Sequence, residues 1–162
     1  MSDPFLMGIH VFFADLAMLG YLWVFVDLLN PISDEKIARA RNIALFSLIF
    51  IILTWVTAGY YYVVYYPADR AIIKASSVWD WGHKIIMETK EHVFFFAPVL
   101  AFVVYFVLYA LGAELKNNDD ARKAVQILAV VMIIGNLLLI SMGSLIAFSY
   151  RGALEGLVGY LL

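Results

Sequence analysis

An all-α fold, a four-helix bundle embedded in a membrane, is predicted by three features of this 162-residue chain. Hydrophobic residues make up 64% of it and charged residues only 15%, with a mean hydropathy of +0.88. A soluble domain of this size would need far more polar surface. Four apolar stretches are each about 20 residues or longer, the length that crosses a hydrocarbon core of about 30 Å. The stretches are continuous and do not alternate with polar residues, so helices satisfy the buried backbone where strands would not.

The first span covers about residues 5–29 and ends at Asn30-Pro31. A polar loop, SDEKIARARN, follows it. The second span covers about 43–66 and stops at Pro67, whose ring cannot continue a helix. The third covers about 84–112, with Pro98 as a kink. Its helix is predicted to begin as early as Trp81, with Asp80 as N-cap, so its first turns should project beyond the hydrocarbon. The fourth covers about 124–148, and the tail GALEGLVGYLL, too short to span, is expected to lie along the interface. No repeat or internal boundary divides the chain, so residues 1–162 read as one transmembrane domain.

Composition also excludes chemistry. With no cysteine there are no disulfides, iron–sulfur clusters, thiolate haem ligands or c-type haem attachments. A net charge of −2 without a basic cluster argues against nucleic acid. The opening MSDPFLMGIHVFF has no basic stretch or cleavage site ahead of its apolar run, and reads as a retained span. Lys36, Arg39 and Arg41 follow span one, and Lys116, Arg122 and Lys123 follow span three. That bias favours both termini outside, in the inner membrane of a bacterium or archaeon, against a counterweight of Arg70, Lys74, Lys84, Lys90 and Arg151 on the other side.

His10 and His92 enter spans one and three from the same side, whichever way the protein faces. They share one leaflet and could grip a single metal or haem iron between them. His10 shares a stripe with Ala14, Ala17 and Tyr21, small enough to admit a flat ligand or a neighbouring helix. Glu88 lies one turn before His92 and could accept its imidazole N–H, fixing the tautomer. Both histidines also have plainer readings, as amphipathic side chains near helix ends. His83, nine residues before His92, falls on the opposite face and reads as an interfacial residue.

Asp15 is the unusual charge, near the bilayer midplane with no lysine or arginine at its depth. It suits a proton relay or a hydrogen bond to a quinone, or else a protonated carboxyl bonded to Asn136 or Ser141. Tyr60 to Tyr66 form an aromatic belt on the histidine side. Gly135, Gly143 and Ala147 share a face of span four, more simply for close packing than for a porphyrin. Arg70, Lys74 and Arg151 cluster on the histidine side, where they could neutralise haem propionates.

The run IHVFFADLAMLGYLW, with a histidine at the head of the first span followed by small residues, resembles the small four- or five-span proteins of the copper-resistance-D-like group and the membrane protoporphyrinogen oxidases. The resemblance covers span one and the four-span layout. It implies b-type haem with His10 as a ligand, while His92 rests on depth alone.

These readings lead to a membrane protein or subunit holding haem b between His10 and His92, exchanging electrons with quinone or a redox partner. Its partners would be the lipid bilayer and other subunits of a membrane redox complex, or copies of itself. Two alternatives stand beside it. One is a haem-free copper or zinc protein using His10, Glu88 and His92. The other is a structural subunit without a cofactor.

Overall fold

A computed structural model describes residues 4–29 and 32–159. The chain is all-α, and no strand occurs among the described residues. Helix α1 runs Pro4–Asp27, α2 Asp34–Val64, α3 Tyr66–Ala75, α4 Glu88–Leu111 and α5 Asp119–Gly159. A π-helical turn, Gly82–Met87, leads into α4, and a 3-10 turn, Gly112–Lys116, follows it. Four helical segments, Pro4–Asp27, Asp34–Val64, Gly82–Lys116 and Asp119–Gly159, are long and apolar enough to cross a membrane. About a fifth of each apolar stretch is buried inside the molecule. The remainder, including Phe12, Trp23, Phe46, Phe95, Phe106 and Phe148, faces outward as lipid requires.

Lipid tails are as apolar as leucine, so apolar burial alone does not drive these helices together, and close packing must. Small residues supply it. Ala17, Ala40, Ala44 and Ala129 are fully buried, and Tyr21 and Leu108 fill the remaining space. A Cβ added at Gly20 of α1 would meet the Ser47 Oγ of α2 at 2.0 Å, so these two helices pack against each other at near-backbone distance.

The end of the bundle that carries the α1–α2 connection is held by polar contacts. Asp27, buried in α1, accepts two hydrogen bonds from the Arg39 guanidinium at 2.5 and 2.8 Å. Lys116 reaches Asp34 at 3.0 Å, Arg122 bonds Asp119 and the Leu115 carbonyl, and Gln126 donates to the Leu28 carbonyl. Gly112 closes α4 with φ of +44°, a conformation that glycine accepts without strain.

Several boundaries differ from the sequence expectation. The polar run after span one is mostly the first turns of α2, capped by the Ser33 hydroxyl accepting from the Lys36 amide at 3.3 Å. Acidic Asp34 and Glu35 in that first turn suit the positive end of the helix. The tail does not form a separate interfacial segment. It extends α5 to Gly159, so that 41-residue helix is about 61 Å long at 1.5 Å per residue. Between Pro67 and Asp80 lies a short amphipathic helix, α3, with Pro67 in its first turn where a missing N–H costs nothing. The early start of the third helix at Trp81 matches the expectation. Lys84 and His83 amides bond the Asp80 carbonyl, and Lys84 Nζ also pairs with the Asp80 carboxylate, holding that acid below the usual carboxylate range.

Candidate functional site

At the opposite end the helices line a cavity of about 760 Å³. All five helices contribute to it, among them His10 of α1, Tyr61 of α2, Tyr66 of α3, Lys90 and Glu91 of α4, and Arg151 of α5. Its volume falls in the range of small-molecule and cofactor sites, about 300–1,000 Å³. The walls are mostly apolar, with charges of both signs at a few points.

His10 is half-buried, and its Nδ1 lies 3.0 Å from the Thr54 carbonyl oxygen. A carbonyl can only accept, so Nδ1 carries the proton and Nε2 keeps a free lone pair. This is how ligating histidines are commonly oriented. The ring packs edge-on against Phe94, with centroids 6.2 Å apart. Half-buried Lys90 points its ammonium at Gly143 of α5, where even a Cβ would come within 3.1 Å of Nζ. It forms no ion pair among the described residues. The cavity's carboxylates face its tyrosines instead. The Tyr61 hydroxyl donates to Asp69 at 2.8 Å, and Tyr62 faces Glu91.

His92 has the same tautomer as His10, with Nδ1 2.6 Å from the Glu88 backbone carbonyl. It does not share the cavity. Exposed His92 lines a second pocket of about 270 Å³, together with Gly135 and Asn136. Phe94 lines both pockets. Contact of His10 with Phe94, two residues beyond His92, puts the two rings at similar depth but facing different spaces.

The other residues singled out from sequence fall as follows. Glu88 does not offer its carboxylate to His92. That carboxylate points toward His83, with Oε1 4.0 Å from Nε2. His83 is not an interfacial residue, since it is 2% exposed and hydrogen-bonded through Nδ1 to the Tyr66 hydroxyl at 3.0 Å. Asp15 lines neither pocket, and its two suggested partners are engaged elsewhere. Asn136 donates to the Ala14 carbonyl and Ser141 to that of Leu137. Arg151 lines the large cavity, whereas exposed Arg70 and Lys74 line neither pocket and lie beside His83. Ala14 and Ala17 are core residues. Gly135, Gly143 and Ala147 border the pockets and do not serve the close packing expected of them.

Lys90 is the functional candidate that the sequence reading passed over. From the sequence it is one positive charge in the topology count, whereas beside Gly143 it is a cation on the cavity wall without an ion pair among the described residues. No three histidine, cysteine or acidic side chains converge into a metal site among the described residues. Compared with protein-family models, curated proteins and solved structures, the chain matches none.

Proposed function

We propose that this chain is a membrane-embedded haem protein that holds a b-type haem in the large cavity, with the iron on His10 Nε2, and passes electrons to a quinone or a redox partner in the membrane. The observation that carries this reading is the His10 ring. Its Nδ1–H is committed to the Thr54 carbonyl, leaving Nε2 bare beside a cavity of about 760 Å³. Lys90 and Arg151, both on the cavity wall, are the cations that would meet the propionates, replacing Arg70 and Lys74 in that role. When bound, the haem supplies the one-electron chemistry. The chain orients His10, excludes water with Phe94 and the tyrosine wall, and balances charge with Lys90.

His92 lines the second pocket and not the large cavity, so His10 alone is assigned as the protein ligand. The resemblance of the first span to haem-associated four-span proteins is in keeping with this assignment. A bacterial or archaeal inner membrane, outward termini and a place in a larger redox complex or homo-oligomer belong to the same proposal.

The test is a visible spectrum of the protein purified in detergent from haem-replete cells. A Soret band lost in His10→Ala and kept in His92→Ala is expected. Absence of any Soret band, or full haem content in His10→Ala, would overturn the assignment.

A further inference from the structure

His83 is a buried titratable group that the proposed haem site does not use. Its Nδ1 meets the Tyr66 hydroxyl at 3.0 Å, and Tyr66 lines the large cavity. Its Nε2 is fully enclosed and has no hydrogen-bond partner. Such an atom costs stability unless it does something, because a buried polar group without a partner loses its hydration for nothing. The nearest group is the Glu88 carboxylate at 4.0 Å, whose side chain is 58% exposed. Water, Glu88, His83, Tyr66 and the cavity therefore follow one another in a line.

The local fold is built for this line. Residues Gly82–Met87 form a π-helical turn, in which the Glu88 amide bonds the His83 carbonyl five residues back. Turns of this kind are rare and recur at functional sites. The wide turn brings His83 and Glu88, five residues apart, into register. Gly82 has no side chain where Ser149 of α5 comes closest, which draws His83 into the bundle against Tyr66. The other charged groups near His83 are Arg70 and Lys74 of α3 and Glu91 of α4, so two cations and, with Glu88, two carboxylates face it, the cations exerting the larger influence.

We propose that Glu88, His83 and Tyr66 form a proton inlet from the aqueous face to the large cavity, and that His83 takes up one proton when the cavity's cofactor takes up one electron. This rests on the haem reading for the identity of that cofactor. In the oxidised state His83 is neutral, with Nδ1–H donating to Tyr66 and a bare Nε2. A bound haem, on accepting one electron from an external donor, would add one negative charge to the cavity. Glu88 then takes a proton from water and passes it to His83 Nε2, whose new positive charge offsets the electron. Reoxidation returns the proton by the same route.

The experiment has two arms. In haem-loaded protein reduced stepwise with dithionite, the midpoint potential of wild type falls by about 59 mV per pH unit near neutrality, the one-electron equivalent of a tenfold change. His83→Gln flattens that slope while keeping the Soret band. A pH-independent wild-type potential, or an unchanged slope in His83→Gln, overturns the proposal. The second arm needs no haem. In protein labelled with ¹⁵N-histidine, each ring assigned by substitution, the His83 ring gains and loses a proton at Nε2, read from pH-dependent ¹⁵N exchange broadening, at least tenfold more slowly in Glu88→Gln. Equal exchange overturns the inlet. If no haem is bound at all, the functional reading fails and the inlet stands or falls on this arm alone.

Discussion

Replacing Gly82 with alanine tests whether close approach of α5 seats the π turn. The added Cβ would lie 1.9 Å from Ser149 Oγ and 2.4 Å from Ser149 Cβ, and Ser149 is fully buried. Carbon atoms rest comfortably at about 3.5–4.0 Å, so the two segments must part by about 1 Å. Overpacking of this kind costs about 1–3 kcal/mol, and a contact with a Cβ, which no rotamer change can move away, belongs at the upper end. Alanine gains about 0.5–1 kcal/mol over glycine within a helix, leaving a net loss of about 2 kcal/mol. Ser149→Ala removes the oxygen but not the carbon, so it recovers less than half. Ser149→Gly removes both. In the exchanged pair, Gly82→Ala with Ser149→Gly, the two helix propensities cancel and stability returns to within about 0.5 kcal/mol of wild type. Unfolding in mixed micelles titrated with SDS, followed by circular dichroism, measures all four variants. If Gly82→Ala alone is as stable as wild type, or Ser149→Gly fails to rescue it, the close-approach argument is refuted.

Lys90→Met should weaken haem binding at least tenfold, since a charge-assisted hydrogen bond to a propionate is lost, yet leave the apoprotein's melting temperature unchanged or higher. Haem titration and a thermal melt read the two effects separately. Phe94→Ala should open one pocket to the other and let His92 reach the iron, seen as a change from a high-spin to a low-spin visible spectrum. Burial, followed by the neighbouring Tyr62, pushes the Tyr66 phenol above its ordinary value of 10.0. The unfolded chain then releases that proton first, so this contribution to stability is full below pH 10 and is lost progressively as pH rises beyond it. Tyr66→Phe should show a shallower alkaline fall than wild type in denaturation series from pH 8 to 11.

Most of the fold was legible because a bilayer asks one simple question of a sequence, and continuous apolar runs answer it. The early start of the third helix was readable from Asp80 and Trp81. Depth was readable too, since it follows from counting along a helix. Azimuth was not. His10 and His92 lie at similar depth, but which space each faces depends on how α1 and α4 are rotated, and that is set by contacts such as Gly20 against Ser47. The placing of His83 and Glu88 failed for a sharper reason. Counting 100° per residue from His92 back to His83 assumes an α-helix throughout, and the π turn Gly82–Met87 breaks that count. Glu88, correctly one turn from His92, turns its carboxylate to His83 instead. Lys90 escaped because a lysine near a helix mouth is ordinarily solvated. Only the packing of α4 against α5 reveals that it is half-buried on a cavity wall.

The two ends of the bundle are chemically unlike. Asp27–Arg39, Asp34–Lys116 and Asp119–Arg122 stitch one end shut, while the other is hollow and ringed by tyrosine. If the cavity holds a redox cofactor as proposed, such a molecule would trade with a single compartment. In vesicles with randomly inserted copies, a water-soluble reductant added outside would reach only the half whose mouths face it.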